Sequence, residues 1–173
     1  DIKEIQSDMQ RERPMNRLIQ GDVGSGKTAV AEVALYKAVK SGFQGIMMAP
    51  TELLARQHFE ELRRRFKGFT NSSGVPIRVD CLTGSLTASE KREVLSAITS
   101  GETDIIIGTH AVIQPEVTFK NAGLVITDEQ HRFGVLQRGS LAEKGQSPDV
   151  LVMTATPIPR TLAVVLFGEL DVS

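Results

Sequence analysis

Cysteine, histidine and excess charge of either sign are scarce in this 173-residue chain, and each scarcity excludes something. Cys81 is the only cysteine, so no intramolecular disulfide is possible. That points to a reducing compartment and leaves the thiol as a small core filler in an apparent strand. Three scattered histidines beside one cysteine offer no zinc-ligand spacing. Basic and acidic residues number 20 and 21, a net charge of −1. No global field therefore draws the chain to a polyanion, and any nucleic-acid contact must come from a local patch. There is no internal repeat, no low-complexity segment, no signal-peptide pattern and no apolar run of the ~18 residues that span a bilayer, so no membrane partner is expected. What is present is an ordinary globular balance, 40% hydrophobic and 24% charged, in a length that suits one domain with a substantial core.

Residues 21–28 read Gly21-Asp22-Val23-Gly24-Ser25-Gly26-Lys27-Thr28, the G-x-x-x-x-G-K-T phosphate-binding loop. Each part has its own task on a nucleoside triphosphate. The glycines let the backbone bend until several N–H groups face the phosphates. Lys27 reaches the β- and γ-phosphates, and the Thr28 hydroxyl is a ligand for Mg²⁺. An apolar strand over residues 18–20 precedes the loop. A helix over 29–40, closed by Gly42, follows it, so the helix dipole falls on the anion.

A second motif concerns what the nucleotide is used for. Residues 123–127 form an apolar strand that ends in Asp128-Glu129-Gln130-His131. Acids at the carboxyl end of a parallel strand lie on the rim where such sheets bind ligands. Asp128 is the expected Mg²⁺ ligand. Glu129, one residue on, is placed to polarise the water that attacks the γ-phosphate. A kinase needs only the metal-binding acid, so the pair argues for hydrolysis.

Candidate strands at 18–20, 45–49, 77–82, 104–108, 123–127 and 150–153 are mostly continuous apolar runs, the pattern of parallel strands covered on both faces. Helices alternate with them. Leu54, His58, Leu62 and Phe66 form a stripe on a helix over 53–67 that Gly68 stops. Thr87-Ala88-Ser89-Glu90 is a capping box for a helix reaching about Ser100, with Gly101 after it. Shorter helices are expected after His131 and over 160–167. The whole reads as an α/β fold, a parallel doubly wound sheet with helices on both faces. Both ends look cut: the chain opens inside a helix-like stretch, residues 2–9, and closes in an extended tail at Leu170-Asp171-Val172-Ser173. A single domain over 1–173, part of a longer protein, is the expected organisation.

Three more segments leave strand ends on the same rim as the phosphate loop: Pro50-Thr51-Glu52-Leu53, Gly108-Thr109-His110-Ala111 and Thr154-Ala155-Thr156-Pro157. Small hydroxyls and helix N-termini there are donors to phosphate oxygens, although each segment alone also reads as a helix cap or strand exit. In order, together with Thr83-Gly84-Ser85, they resemble the motifs of the first motor domain of superfamily 2 nucleic-acid helicases and translocases, of the DExH type. The wording is closest to the bacterial DNA helicases that rewind and regress branched DNA at forks and junctions, in replication repair and recombination. Related segments occur in the transcription–repair coupling translocases, which carry a second Glu where this chain has Gln130.

The resemblance covers nearly the whole chain and implies a RecA-like ATP-binding domain that uses ATP and Mg²⁺ in a bacterial cytoplasm. It implies that Gly21 to Thr28 bind the nucleotide, that Thr28 and Asp128 hold the metal, and that Lys27, Asp128 and Glu129 are catalytic. His131, Thr154 and Thr156 would relay nucleotide state to the DNA-binding face. Thr51, Arg56, Thr109 and His110 would lie on segments that contact the DNA backbone. A second motor domain supplying an arginine finger, a wedge domain gripping branched DNA, and an adenine-recognition segment upstream of Ile2 would be further parts of the family pattern that this chain lacks. The rival classes are a P-loop phosphotransferase, which needs an Arg-rich lid that is not evident, and a nucleotide-sensing module, which would not need Glu129. Arg63-Arg64-Arg65 reads as a solvated helix face, His58 as a packed residue, and Arg132 and Arg160 equally as functional or structural.

Overall fold

A computed structural model describes residues 16–20, 27–128, 148–154 and 171–172. The expectations for residues 21–26, for Glu129 to His131, Arg132, Thr156 and Arg160, and for helices over 2–9, after His131 and over 160–167 lie outside the described residues. The elements in chain order are β1 (Asn16–Gln20), α1 (Lys27–Lys40), β2 (Gln44–Met48), α2 (Glu52–Arg65), β3 (Val79–Leu82), α3 (Ala88–Ser100), β4 (Ile105–Gly108), a 3-10 turn (His110–Ile113), β5 (Ala122–Asp128), β6 (Asp149–Thr154) and β7 (Asp171–Val172).

The strands form one sheet in the order β3-β4-β2-β5-β6-β1-β7, and every pairing is parallel. Continuous apolar runs form these strands because both faces are covered. On one face Met47, Ile105, Ile107, Leu124, Ile126, Leu151 and Met153 pack with Ala31, Leu35 and Val39 of α1 and Ala55 and Leu62 of α2. On the other, Ile46, Met48, Leu82, Ile106 and Val125 pack with Ile98 of α3 and with Val112, Val117 and Phe119. The doubly wound, RecA-like architecture expected from the sequence is the one observed.

Local signals set the helix ends. The Thr87 Oγ1 accepts from Glu90 N at 3.1 Å and the Glu90 carboxylate accepts from Thr87 N at 3.1 Å, the capping box read from the sequence. Gly101 follows α3 with φ of 85°, the left-handed conformation that glycine adopts without strain. The predicted extended tail at the carboxyl end proves to be paired: Asp171 and Val172 stand opposite Arg17 and Leu18. Two residues carry no periodic pattern, so only the register with β1 makes them a strand.

At the amino edge of the sheet, charges are consumed by structure. The Asp104 carboxylate accepts from Arg78 N at 2.9 Å and from Asn71 Nδ2 at 3.3 Å. Arg78 Nε donates to Asp80 at 2.9 Å, and Thr103 Oγ1 donates to the same carboxylate at 2.6 Å. Burial pushes the Asp104 carboxyl above its ordinary value against these bonds.

Candidate functional site

Because every strand points the same way, every motif that follows a strand emerges on one edge. Read along that edge, Thr83 to Ser85 follow β3, Thr109 follows β4, Thr51 follows β2, Asp128 ends β5, Thr154 ends β6, and β1 ends at Gln20. The segments expected to handle nucleotide occupy the contiguous half β5-β6-β1. Those expected to contact DNA follow β4 and β2, with the Thr83–Ser85 exit beside them after β3. The two halves meet between β2 and β5.

In the nucleotide half, Asp128 pairs with Met153, Ile19 with the same Met153, and Gln20 with Thr154. One strand therefore separates the end of β5 from the end of β1, about 10 Å at ordinary strand spacing. Lys27 and Thr28 begin α1. The body of α1 packs on the face that carries Leu124 and Ile126, and Thr154 ends the strand between β5 and β1.

Thr127, the residue before Asp128, is fully buried, and its Oγ1 has no hydrogen-bond partner. A buried unsatisfied hydroxyl costs on the order of 1–3 kcal/mol. Sequence reading missed it, since a threonine in an apolar strand looks like an ordinary β-branched residue. Also unforeseen is a charged link between α1 and α2. Arg65 Nε lies 3.5 Å from Glu32 Oε1, and Arg65 Nη2 lies 3.8 Å from Glu61. Burial holds the Glu32 carboxyl above its ordinary value, with Arg65 opposing and Glu61 adding to the rise. Arg63 and Arg64 remain exposed as expected, Arg63 over the Phe59 ring at 5.9 Å.

On the other side of the edge, Thr51 caps α2, its Oγ1 accepting from Leu54 N at 3.2 Å. A cap of this kind contributes about 1 kcal/mol, and it uses an oxygen lone pair, leaving the hydroxyl proton to donate. Thr109 precedes the 3-10 turn. Its carbonyl accepts from Val112 N at 3.2 Å, while its side chain makes no capping bond. His110 is exposed, and its carbonyl accepts from Gln114 Nε2 at 3.3 Å. Gly108 lies so close to β3 that a Cβ there would overlap the Leu82 carbonyl, which is why this strand exit needs glycine.

Arg56 is the centre of a small polar cluster. Its Nη2 donates to Ser85 Oγ at 2.7 Å, and Nε and Nη2 both lie 3.4 Å from Glu52 Oε1. Ser85 in turn donates to Glu52 Oε1, and Thr83 Oγ1 lies 3.2 Å from Ser85 Oγ. The Ser85 hydrogen bond is the main reason the Glu52 carboxyl is held below its ordinary value, with Thr83 and Arg56 adding to it. Sequence reading singled out Arg56 and the Thr83-Gly84-Ser85 exit separately. Nothing local shows that Glu52 and Ser85, 33 residues apart, are hydrogen-bonded. Nearby Cys81 is half-buried, and burial pushes its thiol up to about 11. It is therefore a protonated thiol at neutral pH, half-buried and outside both core clusters, where the sequence suggested a core filler. No helix among the described residues is long and apolar enough to cross a membrane.

Comparison with known proteins gives this geometry relatives. The DEAD/DEAH box helicase family matches residues 3–165. The chain is 57% identical over 172 residues to the ATP-dependent DNA helicase RecG of Streptococcus pneumoniae and 56% identical over 172 to that of Bacillus subtilis. Each alignment takes in 99% of this chain and 24% of the relative, so the chain spans about a quarter of the length of these curated relatives. Among solved structures it resembles RecG bound to a three-way DNA junction, with a TM-score of 0.81 and 48% identity over 98% of this chain and 22% of that one. The helicase MrfA bound to DNA shares the fold alone, with a TM-score of 0.76 at 17% identity over 99% of this chain and 26% of that one.

Proposed function

The chain belongs to the DEAD/DEAH box helicase family, and from that premise we propose that it is the first motor domain of a RecG-type helicase that uses ATP to move on branched DNA. The observation that carries this reading is the order of motifs along the sheet edge. Nucleotide-handling and DNA-handling segments fill contiguous halves, and they abut where β5, ending at Asp128, pairs with β2, leading into Thr51. A change at the end of β5 then passes directly to the neighbouring β2 and the helix it leads into, which carries Arg56.

In this reading the backbone of Gly21 to Gly26 and the amino end of α1 receive the phosphates, and Lys27 balances their charge. Thr28 and Asp128 fit Mg²⁺: one hydroxyl and one carboxylate are the sparse, hard oxygen set that this ion takes beside substrate phosphates. When bound, the ion supplies neutralising charge. Glu129 accepts the proton of the attacking water, and His131, Thr154 and Thr156 report nucleotide state to the other half of the edge. Thr51, Arg56, Thr109 and His110 meet the DNA backbone without reading bases. We place the chain inside a longer protein, whose second motor domain supplies the arginine finger worth about 10³–10⁵ in rate and whose wedge domain grips the junction.

The test is ATP turnover by the full-length protein containing this chain, with forked and linear DNA. Stimulation by forked DNA, abolished by Lys27→Ala, is the expected result. Turnover indifferent to DNA, or unchanged by Lys27→Ala, would refute the proposal.

A further inference from the structure

Arg56 and Ser85 project from different strand exits, yet in this structure both engage one carboxylate oxygen, Glu52 Oε1. A Glu–Arg pair one helical turn apart is by itself an ordinary surface contact. Three features set this one apart. A second segment joins it through Ser85, which accepts from Arg56 at 2.7 Å and donates to Glu52. The cluster lies on the edge where Thr51 and Thr109 also emerge. Its charged side chains are open to solvent, Arg56 at 56% and Glu52 at 41% exposure, so another anion has access. A guanidinium and a hydroxyl converging on an oxyanion is also the donor set that holds a nucleic-acid phosphate.

We infer that Glu52 is a built-in competitor of the DNA phosphate: its carboxylate occupies the Arg56 and Ser85 donors, and a bound strand displaces it. This rests on the reading of Arg56 as a backbone contact. The exchange moves no covalent bond; Arg56 and Ser85 trade one oxyanion for another. The result is a phosphate contact that is weak by construction, which suits a motor that must release each phosphate as it steps. Glu52 acts through Arg56 and Ser85, as a positioning residue that tunes grip.

The test is Glu52→Gln in the full-length protein, with Glu52→Ala as a second variant, read by binding to single-stranded DNA and by the DNA concentration that half-saturates ATP turnover. A unit charge removed about 5 Å from a phosphate in a water-like medium changes affinity roughly three- to tenfold. Both variants should therefore bind DNA three- to tenfold more tightly, lower the half-saturating DNA concentration more than they alter kcat, and steepen the log–log salt slope by about 0.7, because no displaced carboxylate takes up a counterion. The gain should vanish in the Arg56→Ala background. Unchanged or weaker binding by the Glu52 variants while Arg56→Ala weakens binding would overturn this inference alone. So would a gain that persists without Arg56. If Arg56→Ala leaves DNA affinity unchanged, this inference falls together with the backbone-contact reading beneath it.

Discussion

Replacing Thr127 by valine should stabilise the domain. The side chain is fully buried on β5, between Met48 of β2 and Val152 of β6, and its hydroxyl has no hydrogen-bond partner. Valine keeps the branched shape and the strand preference, so the change removes a desolvated polar group with little repacking. The unsatisfied hydroxyl costs on the order of 1–3 kcal/mol, and that is the stabilisation expected. In a domain of this size one kcal/mol moves Tm by about 2–4 °C, so Tm should rise by roughly 2–12 °C. Thermal unfolding of the 173-residue chain, followed by circular dichroism without nucleotide, reads this directly. Thr127→Ser serves as the control: it keeps the orphaned hydroxyl, loses a buried methyl and should lower Tm. A lower Tm for Thr127→Val would mean that the hydroxyl is satisfied, and the cost assigned to it beside Asp128 would be withdrawn.

Three further outcomes follow from the same geometry. Gln44, buried at the start of β2, donates to the Ile98 and Thr103 carbonyls at 2.9 and 3.0 Å and accepts from Asn121 N at 3.0 Å; Gln44→Leu should cost about 3–5 kcal/mol in chemical denaturation, and a loss below 1 kcal/mol would show the network to be idle. Glu32 binds its proton more readily in the fold than its ordinary value of 4.5 allows, so its contribution to stability is full below that pH and is lost as pH rises through the higher folded value; Glu32→Gln should flatten the stability–pH curve just above pH 4.5, and a curve identical to wild type there would contradict the assignment. Glu129→Gln in the full-length protein should bind ATP as wild type does and lose at least a hundredfold in turnover, because an amide cannot take the proton of water; turnover within a few-fold of wild type would remove Glu129 as the base.

The amino-acid sequence alone determined the features that close over a few residues. Strands buried on both faces must be continuous apolar runs, so β2, β4 and β5 are visible as Gly45 to Met48, Ile105 to Ile107 and Leu124 to Ile126. The capping box at Thr87 and Glu90 spans one helical turn and is complete in four letters. The phosphate-loop motif is equally local, because its glycines, Lys27 and Thr28 fall within eight consecutive letters. Tertiary structure alone decided which strand ends stand side by side. Sheet order depends on how nonadjacent runs pack, and that order sets the ends of β5, β6 and β1 on one side of the edge and those of β3, β4 and β2 on the other. It also made a strand of Asp171 and Val172, left Thr127 buried without a partner, and set Arg65 of α2 against Glu32 of α1. Glu52 and Ser85 are the clearest case: each is an unremarkable polar residue after a strand, and only the parallel packing of β2, β4 and β3 brings them onto the same guanidinium. Hydrogen bonds of that kind depend on distances in space, and chain separation carries no record of them.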